Sequence, residues 1–401
     1  KLHAQLYTRE YETVFTPWDG RAYAVYGRHI FQSRLESESI GLRLDLETPL
    51  PNRMTLFWGA DAGSEETAQP VWIMDPEVYD ESGGRTFRTI GDRTFVPLID
   101  KRNAAGFAQL EWLMSDRWLL RTGIRHEDVT ADIPTFTTLG DVTIGGGERN
   151  WADTLFNAGL VFYPTPDQRI WTSFSQGFSL PDIGLVLRSA PVGASLDTLP
   201  FQPQIVDAWE IGWSRESGSF AWEIATFYNT SEFGTSTAGF NQPVVRAPER
   251  VYGIEGAFEV DPAGPWSFRL NAAWNEGKSD PDRDGDYTWL NAYRISPPNA
   301  TLGISHETTA RWRNRLSVSW SGDRERFGDS SAFGRRPIES YTVVDLFSSI
   351  RLMSGELQIG IRNLLNEDYF MRDAQLLRSG FNNSHSAAPG ATLDLGWSIR
   401  Y

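Results

Sequence analysis

The residues best spaced for chemistry are the acidic run Asp280-Pro281-Asp282-Arg283-Asp284-Gly285-Asp286. Its alternating carboxylates and glycine turn offer hard oxygen ligands of the kind a calcium loop uses. Asp280, Asp282, Asp284 and Asp286 are therefore candidate metal ligands. The twelfth position is Asn291, however, where a calcium loop places a bidentate Glu, and no flanking helices are expected. A solvated acidic loop is the competing reading. No catalytic constellation stands beside it: there is no nucleophile elbow, phosphate-cradling glycine loop or zinc spacing. His126, at an expected strand end, and His306, near an expected turn, read as structural. The chain is not expected to be an enzyme.

The elements that must position any site are strands. From Ala391 to Tyr401 one alternate row is Leu393, Leu395, Trp397, Ile399 and Tyr401, and the other is Thr392, Asp394, Gly396, Ser398 and Arg400. A period of two makes a strand with one apolar and one polar face. The same alternation recurs at Ile40–Leu46, Met54–Ala60, Ala108–Met114, Trp209–Trp213, Trp266–Trp274 and Leu357–Ile361. Counted along the whole chain it gives about sixteen strands. Short turns rich in Gly, Pro, Asp and Ser alternate with long polar segments. These span roughly 14–32, 62–103, 127–153, 176–204, 231–248, 277–295, 323–337 and 365–390. Short turns on one rim and long loops on the other are the pattern of an outer-membrane barrel, apolar face to lipid and polar face to a wet lumen. Tyr401 would then anchor the last strand at the short-turn rim.

Composition agrees. Sixteen Trp, 13 Tyr and 23 Phe suit interfacial girdles, and mean hydropathy is −0.38, so no apolar run reaches the length of a membrane helix. A net charge of −15 excludes nucleic acid as a natural partner. With no cysteine there is neither a disulfide framework nor a thiolate metal site. Arg43, Asp45, Asp61, Arg121, Arg125, Glu210, Glu223, Glu255, Arg269, Asn271, Asp345, Arg362, Asp394 and Arg400 fall on the polar rows. They predict ladders of salt bridges along the inner wall.

Several segments resemble the barrel of the TonB-dependent outer-membrane receptors. Gly360-Ile361-Arg362-Asn363-Leu364-Leu365-Asn366-Glu367-Asp368-Tyr369 is similar to the signature that ends the family's penultimate strand. Phe174-Ser175-Gln176-Gly177-Phe178-Ser179-Leu180-Pro181-Asp182, Trp209-Glu210-Ile211-Gly212-Trp213 and Tyr252-Gly253-Ile254-Glu255 resemble its other barrel motifs, in the family's order. Before the last strand the family's Gly-Arg pair is replaced by Pro389-Gly390-Ala391. The resemblance implies an all-β transmembrane antiparallel barrel of about 22 strands, preceded by a plug domain and a TonB box. Residues 1–401 show neither plug nor box and no signal peptide, so they are expected to be the C-terminal barrel portion.

The implied function is import of a ferric siderophore, of hydroxamate or aerobactin type, powered through the TonB-ExbB-ExbD complex. Outer-membrane lipid and lipopolysaccharide would surround the wall. No cofactor is implied beyond the transported chelate, with calcium open through the acidic loop. A passive porin-like channel is the alternative, as are receptors for cobalamin or haem. Aromatic and Arg side chains of the external loops would capture the chelate, and Trp72, Trp289, Tyr293, Arg294, Tyr369, Arg372, Arg378 and Phe381 are the candidates. Rings would pack on its organic shell and guanidinium groups would bond its anionic oxygens.

Overall fold

The computed structural model describes residues 1–237, 244–327, 336–353, 355–376 and 386–399. Sixteen strands of eight or more residues form one antiparallel wall. In chain order they are β1 (Leu2–Val14), β2 (Ile30–Leu50), β3 (Met54–Met74), β4 (Thr89–Ser115), β5 (Trp118–Ile133) and β6 (Gly147–Phe162). Then come β7 (Gln168–Ser179), β8 (Gln204–Ser217), β9 (Phe220–Thr237), β10 (Val244–Val260) and β11 (Trp266–Ser279). The last five are β12 (Asn299–Thr309), β13 (Trp312–Ser321), β14 (Tyr341–Leu352), β15 (Gly355–Arg362) and β16 (Thr392–Ile399). Each pairs with its neighbours in sequence. Among the described residues no ladder joins β1 to β16, so each keeps one bare edge.

Register carries the apolar row from strand to strand. Leu2 lies opposite Leu46, Leu46 opposite Trp58, Trp58 opposite Ala108, Ala108 opposite Ile124 and Ile124 opposite Phe156. Nothing among the described residues covers this row: Leu6 is 74% exposed and Leu395 70%. An uncovered apolar face of this size marks a surface built for an apolar surrounding. The opposite face carries the expected salt bridges. Arg43 meets Asp45 at 3.0 Å, Arg121 meets Glu111 at 2.8 Å and Arg125 meets Asp61 at 2.8 Å. Arg269 reaches Glu259 at 2.6 Å and Arg362 reaches Asp394 at 2.7 Å. The same face seats rings on glycines, as at Trp171, whose ring lies 2.0 Å from where a Gly212 Cβ would stand. No other residue fits beneath that ring. Arg400 and Tyr401 fall outside the described residues.

Two expected loops are mostly strand. β3 runs on to Met74 and β4 starts at Thr89, so the long connection of 62–103 shrinks to 75–88. Likewise 127–153 shrinks to 134–146. Above the apolar band neither face carries an uncovered apolar row. The alternation therefore fades at Ser64-Glu65-Glu66-Thr67 while the backbone ladder continues. His126 consequently lies inside β5, and its Nδ1 is 2.9 Å from Thr154 Oγ1. His306 is also within a strand, its ring against Trp266 at 4.3 Å.

Candidate functional site

The long-loop rim holds the buried core, in two halves of different character. On the β2–β6 side the polar-face row turns apolar above the salt bridges. Phe31, Val71, Ile73 and Phe95 pack there with Tyr26 and Leu139 of two loops. Beside them Val96, Ile99, Val129, Ile133 and Trp151 bury against the 180–203 segment. That segment contains helix α2 (Ile183–Arg188), started by Asp182, whose carboxylate accepts the Leu185 N–H. Val186 and Leu187 pin the helix into the apolar cluster. Gly27 makes the loop contact possible: its φ is +60°, and a Cβ there would stand 2.0 Å from the Leu139 carbonyl oxygen.

The first loop is tied down by charge. Helix α1 (Pro76–Glu81) is capped by Asp75, which accepts from the Glu77 and Val78 N–H groups. Arg21 bridges Asp19 (2.7 Å) and Asp80 of that helix (2.8 Å). The hydrogen bonds from Arg21 hold both carboxyls below the usual carboxylate range. Their folded pKa values are lowered, so the clamp is complete above pH 3.8 and is lost as pH falls below it. Arg21→Gln should speed amide exchange of residues 15–29 at neutral pH, and the difference from wild type should shrink as the pH is lowered below 3.8 and the two carboxyls protonate. A difference that persists unchanged in acid would refute the clamp.

On the β10–β14 side the core is ionic. Glu276 and Arg324 pair at 3.0 Å, with side chains only 6% and 2% exposed. Arg324 also donates to the Leu290 carbonyl at 2.8 Å and bonds the Arg326 carbonyl, fastening residues 324–326 to the 280–298 loop. Glu249 receives Arg294 through two bonds, of 3.1 and 2.8 Å. Ala292, Ile338 and Leu376 of helix α3 (Arg372–Leu376) fill a small cluster alongside.

Four of the sequence candidates meet in this ionic half. Trp289 lies between Lys278 and Arg326, 4.2 and 4.8 Å from its ring centre. Tyr293 is exposed, Arg294 is committed to Glu249, and Arg372 donates to Ser296 Oγ and pairs with Asp373. Tyr369 stacks on Tyr341 at 4.6 Å. Trp72 stands apart, on the row that continues the apolar face, beneath the Arg34 guanidinium. Arg378 and Phe381 lie outside the described residues. In the acidic loop the carboxylates of Asp280, Asp282 and Asp284 converge within 4.8 Å, without Asp286. Asp280 is buried and accepts the Asp284 and Gly285 N–H groups, and the Asp286 N–H donates to Asp284. Those carboxylates already hold their own turn.

The residues that sequence reasoning passed over are Glu249, Glu276, Arg324 and Arg188. The first three carry no local motif. Arg188 had one: a Pro-Asp start followed by Ile183-Gly184-Leu185-Val186-Leu187 announces a short capped helix. At the opposite rim the polar face forms an open cavity of about 800 Å³, lined by Arg169, Arg215, Glu223, Glu259 and Arg269 among others.

The chain is 27% identical over 394 residues to the ferric aerobactin receptor of Escherichia coli, a match covering 92% of the chain and 53% of that receptor. It is 27% identical over 397 residues to the rhizobactin receptor of Rhizobium meliloti (strain 1021), covering 88% of the chain and 50% of the relative. It thus spans about half the length of the curated relatives it matches. The copper transporter OprC superposes with a TM-score of 0.78 at 15% identity, over 100% of the chain and 62% of that structure, which establishes the fold. The family model described as TonB dependent receptor-like, beta-barrel matches residues 3–364, and the chain belongs to that family.

Proposed function

We propose that this chain is the C-terminal sixteen-strand barrel portion of a bacterial outer-membrane receptor that imports a ferric siderophore with energy delivered through TonB. The observation that carries the reading is the likeness, over 92% of the chain, to a receptor named for ferric aerobactin. The uncovered apolar row supports a lipid surrounding, and the salt-bridged polar face supports a wet interior. Two bare strand edges are intolerable in lipid, where every backbone group needs a partner. Further strands close the wall, and the length of the relatives that this chain does not span leaves room for them and for a plug. The chelate enters at the long-loop rim, where aromatic and Arg side chains gather.

The test is uptake of radioactive iron as ferric aerobactin by iron-starved cells whose only such receptor is this protein, with and without TonB. Uptake that needs TonB supports the reading. Uptake that is equal without TonB would mark a passive channel, and no uptake would remove ferric aerobactin as the cargo.

A further inference from the structure

Along the inner wall Arg43, Arg121, Arg125, Arg269 and Arg362 each meet a carboxylate, and Arg188 does not. Arg188, the last residue of α2, has no carboxylate partner among the described residues. Yet it does not hang in solvent. Its helix is anchored by buried Val186 and Leu187, and its guanidinium lies over the Phe95 ring, 5.2 Å from the centroid. Its Nη1 donates to Gln69 Oε1 at 3.4 Å. Gln69 is itself buried and oriented from below, because its Nε2 donates to Ser33 Oγ at 3.1 Å. Gln69, Val71 and Ile73 belong to the row that continues the polar face, so Arg188 sits on the inner side of the wall, at the seam of the two apolar clusters.

The other cations resting on rings differ in setting. Arg34 lies over Trp72 on the opposite row, while Arg250 and Arg283 are exposed. Arg188 is held among buried apolar groups inside the rim. Beside it is Tyr26, only 8% exposed, whose phenol is pushed up by burial and so stays neutral, able to donate. A cation in such surroundings gains from an anionic oxygen far more than it would in water. The remaining guanidinium donors form a planar fork suited to two oxygens at once.

We infer that Arg188 is the anion anchor of the receptor, binding a free carboxylate of the iron chelate while Phe95 and Gln69 hold the guanidinium in place. This rests on the siderophore reading above. Iron(III) is a hard cation gathered by anionic oxygens, so the chelate presents the charge this fork fits.

The test is ferric aerobactin binding to the purified receptor as cells make it, followed by quenching of intrinsic fluorescence. The variants are Arg188→Gln and Arg188→Lys, and the second probe is the same chelate with its free carboxyl groups converted to methyl esters. Arg188→Gln should weaken binding about ten- to a hundredfold, the range of one charged hydrogen-bonded contact. Arg188→Lys should lose less, since it keeps the charge but not the fork. The Gln variant and wild type should differ little toward the ester. Unheated gel mobility of each variant reports whether the barrel is intact. If Arg188→Gln binds the acid as wild type does, or loses equally toward acid and ester, the anchor is wrong while the siderophore reading stands. If wild type binds no ferric aerobactin, both fall.

Discussion

Glu276→Ala is expected to cost about 3–5 kcal/mol, because it strands the buried guanidinium of Arg324. The size follows from asymmetry. Making such a pair gains little, since both charges surrender their water; breaking it by removing one partner leaves the other charge dry and unanswered. Here Arg324 also holds the Leu290 carbonyl and a two-way backbone bridge to Ile338, so its displacement should loosen two loops together. The apolar band should survive, since none of its ladders depends on this contact. The expected result is a variant with unchanged barrel mobility on unheated gels but rapid protease cleavage in 280–298 and 322–340. Replacing both partners together, Glu276→Leu with Arg324→Met, should recover most of the protection. A single variant as resistant as wild type would show that the pair contributes nothing.

Asn363→Ala should be nearly as costly, about 2–4 kcal/mol, from three lost hydrogen bonds and a strained backbone. Asn363 is 3% exposed, with φ at +49°. Its amide donates to the Glu367 carbonyl at 2.8 Å and to the Pro389 carbonyl at 3.1 Å, and its oxygen accepts the Glu367 N–H at 2.8 Å. One side chain thus turns the chain off β15 and ties both feet of the last long loop. Its backbone N–H donates to Asp345 of β14, which adds the neighbouring strand. A lower temperature of heat modification on gels, with faster cleavage in 364–391, would be the signature. Asn363→Asp should fare better than Ala, since it keeps an oxygen for Glu367 and tolerates the left-handed conformation. An Ala variant with unaltered transition would remove this account of the motif.

The wall was legible because it follows a simple rule: one face apolar, every second residue, strand after strand. The rule stops where the apolar band stops. Residues 62–103 therefore read as loop although both flanking strands persist through Thr67 and Asp100. The Asn363 motif was legible by resemblance, and only the geometry shows what it does. The candidate site was legible by type but not by partnership. Arg294 looked free for a ligand, yet Glu249, 45 residues earlier, engages it. Arg372 is likewise engaged, by Ser296, 76 residues away. Such pairings depend on which loops fold over which strands, and no short-range pattern encodes them. Arg188 was missed for the converse reason: its significance is a missing carboxylate, which a sequence cannot display.

Each strand of the wall lies beside its immediate neighbours in sequence, and this bears on how the sheet can assemble. Joining two strands across a turn as short as 51–53 asks little loop-closure entropy, and each completed hairpin presents an edge for the next. For a β-sheet of this size the mean separation between paired residues is modest, and strand addition can advance stepwise along the chain. Only the closing of the wall, through the further strands that the receptor reading places between the bare edges of β1 and β16, must gather parts distant in sequence. Seam closure, rather than the making of any strand, is therefore the step whose entropy sets the pace.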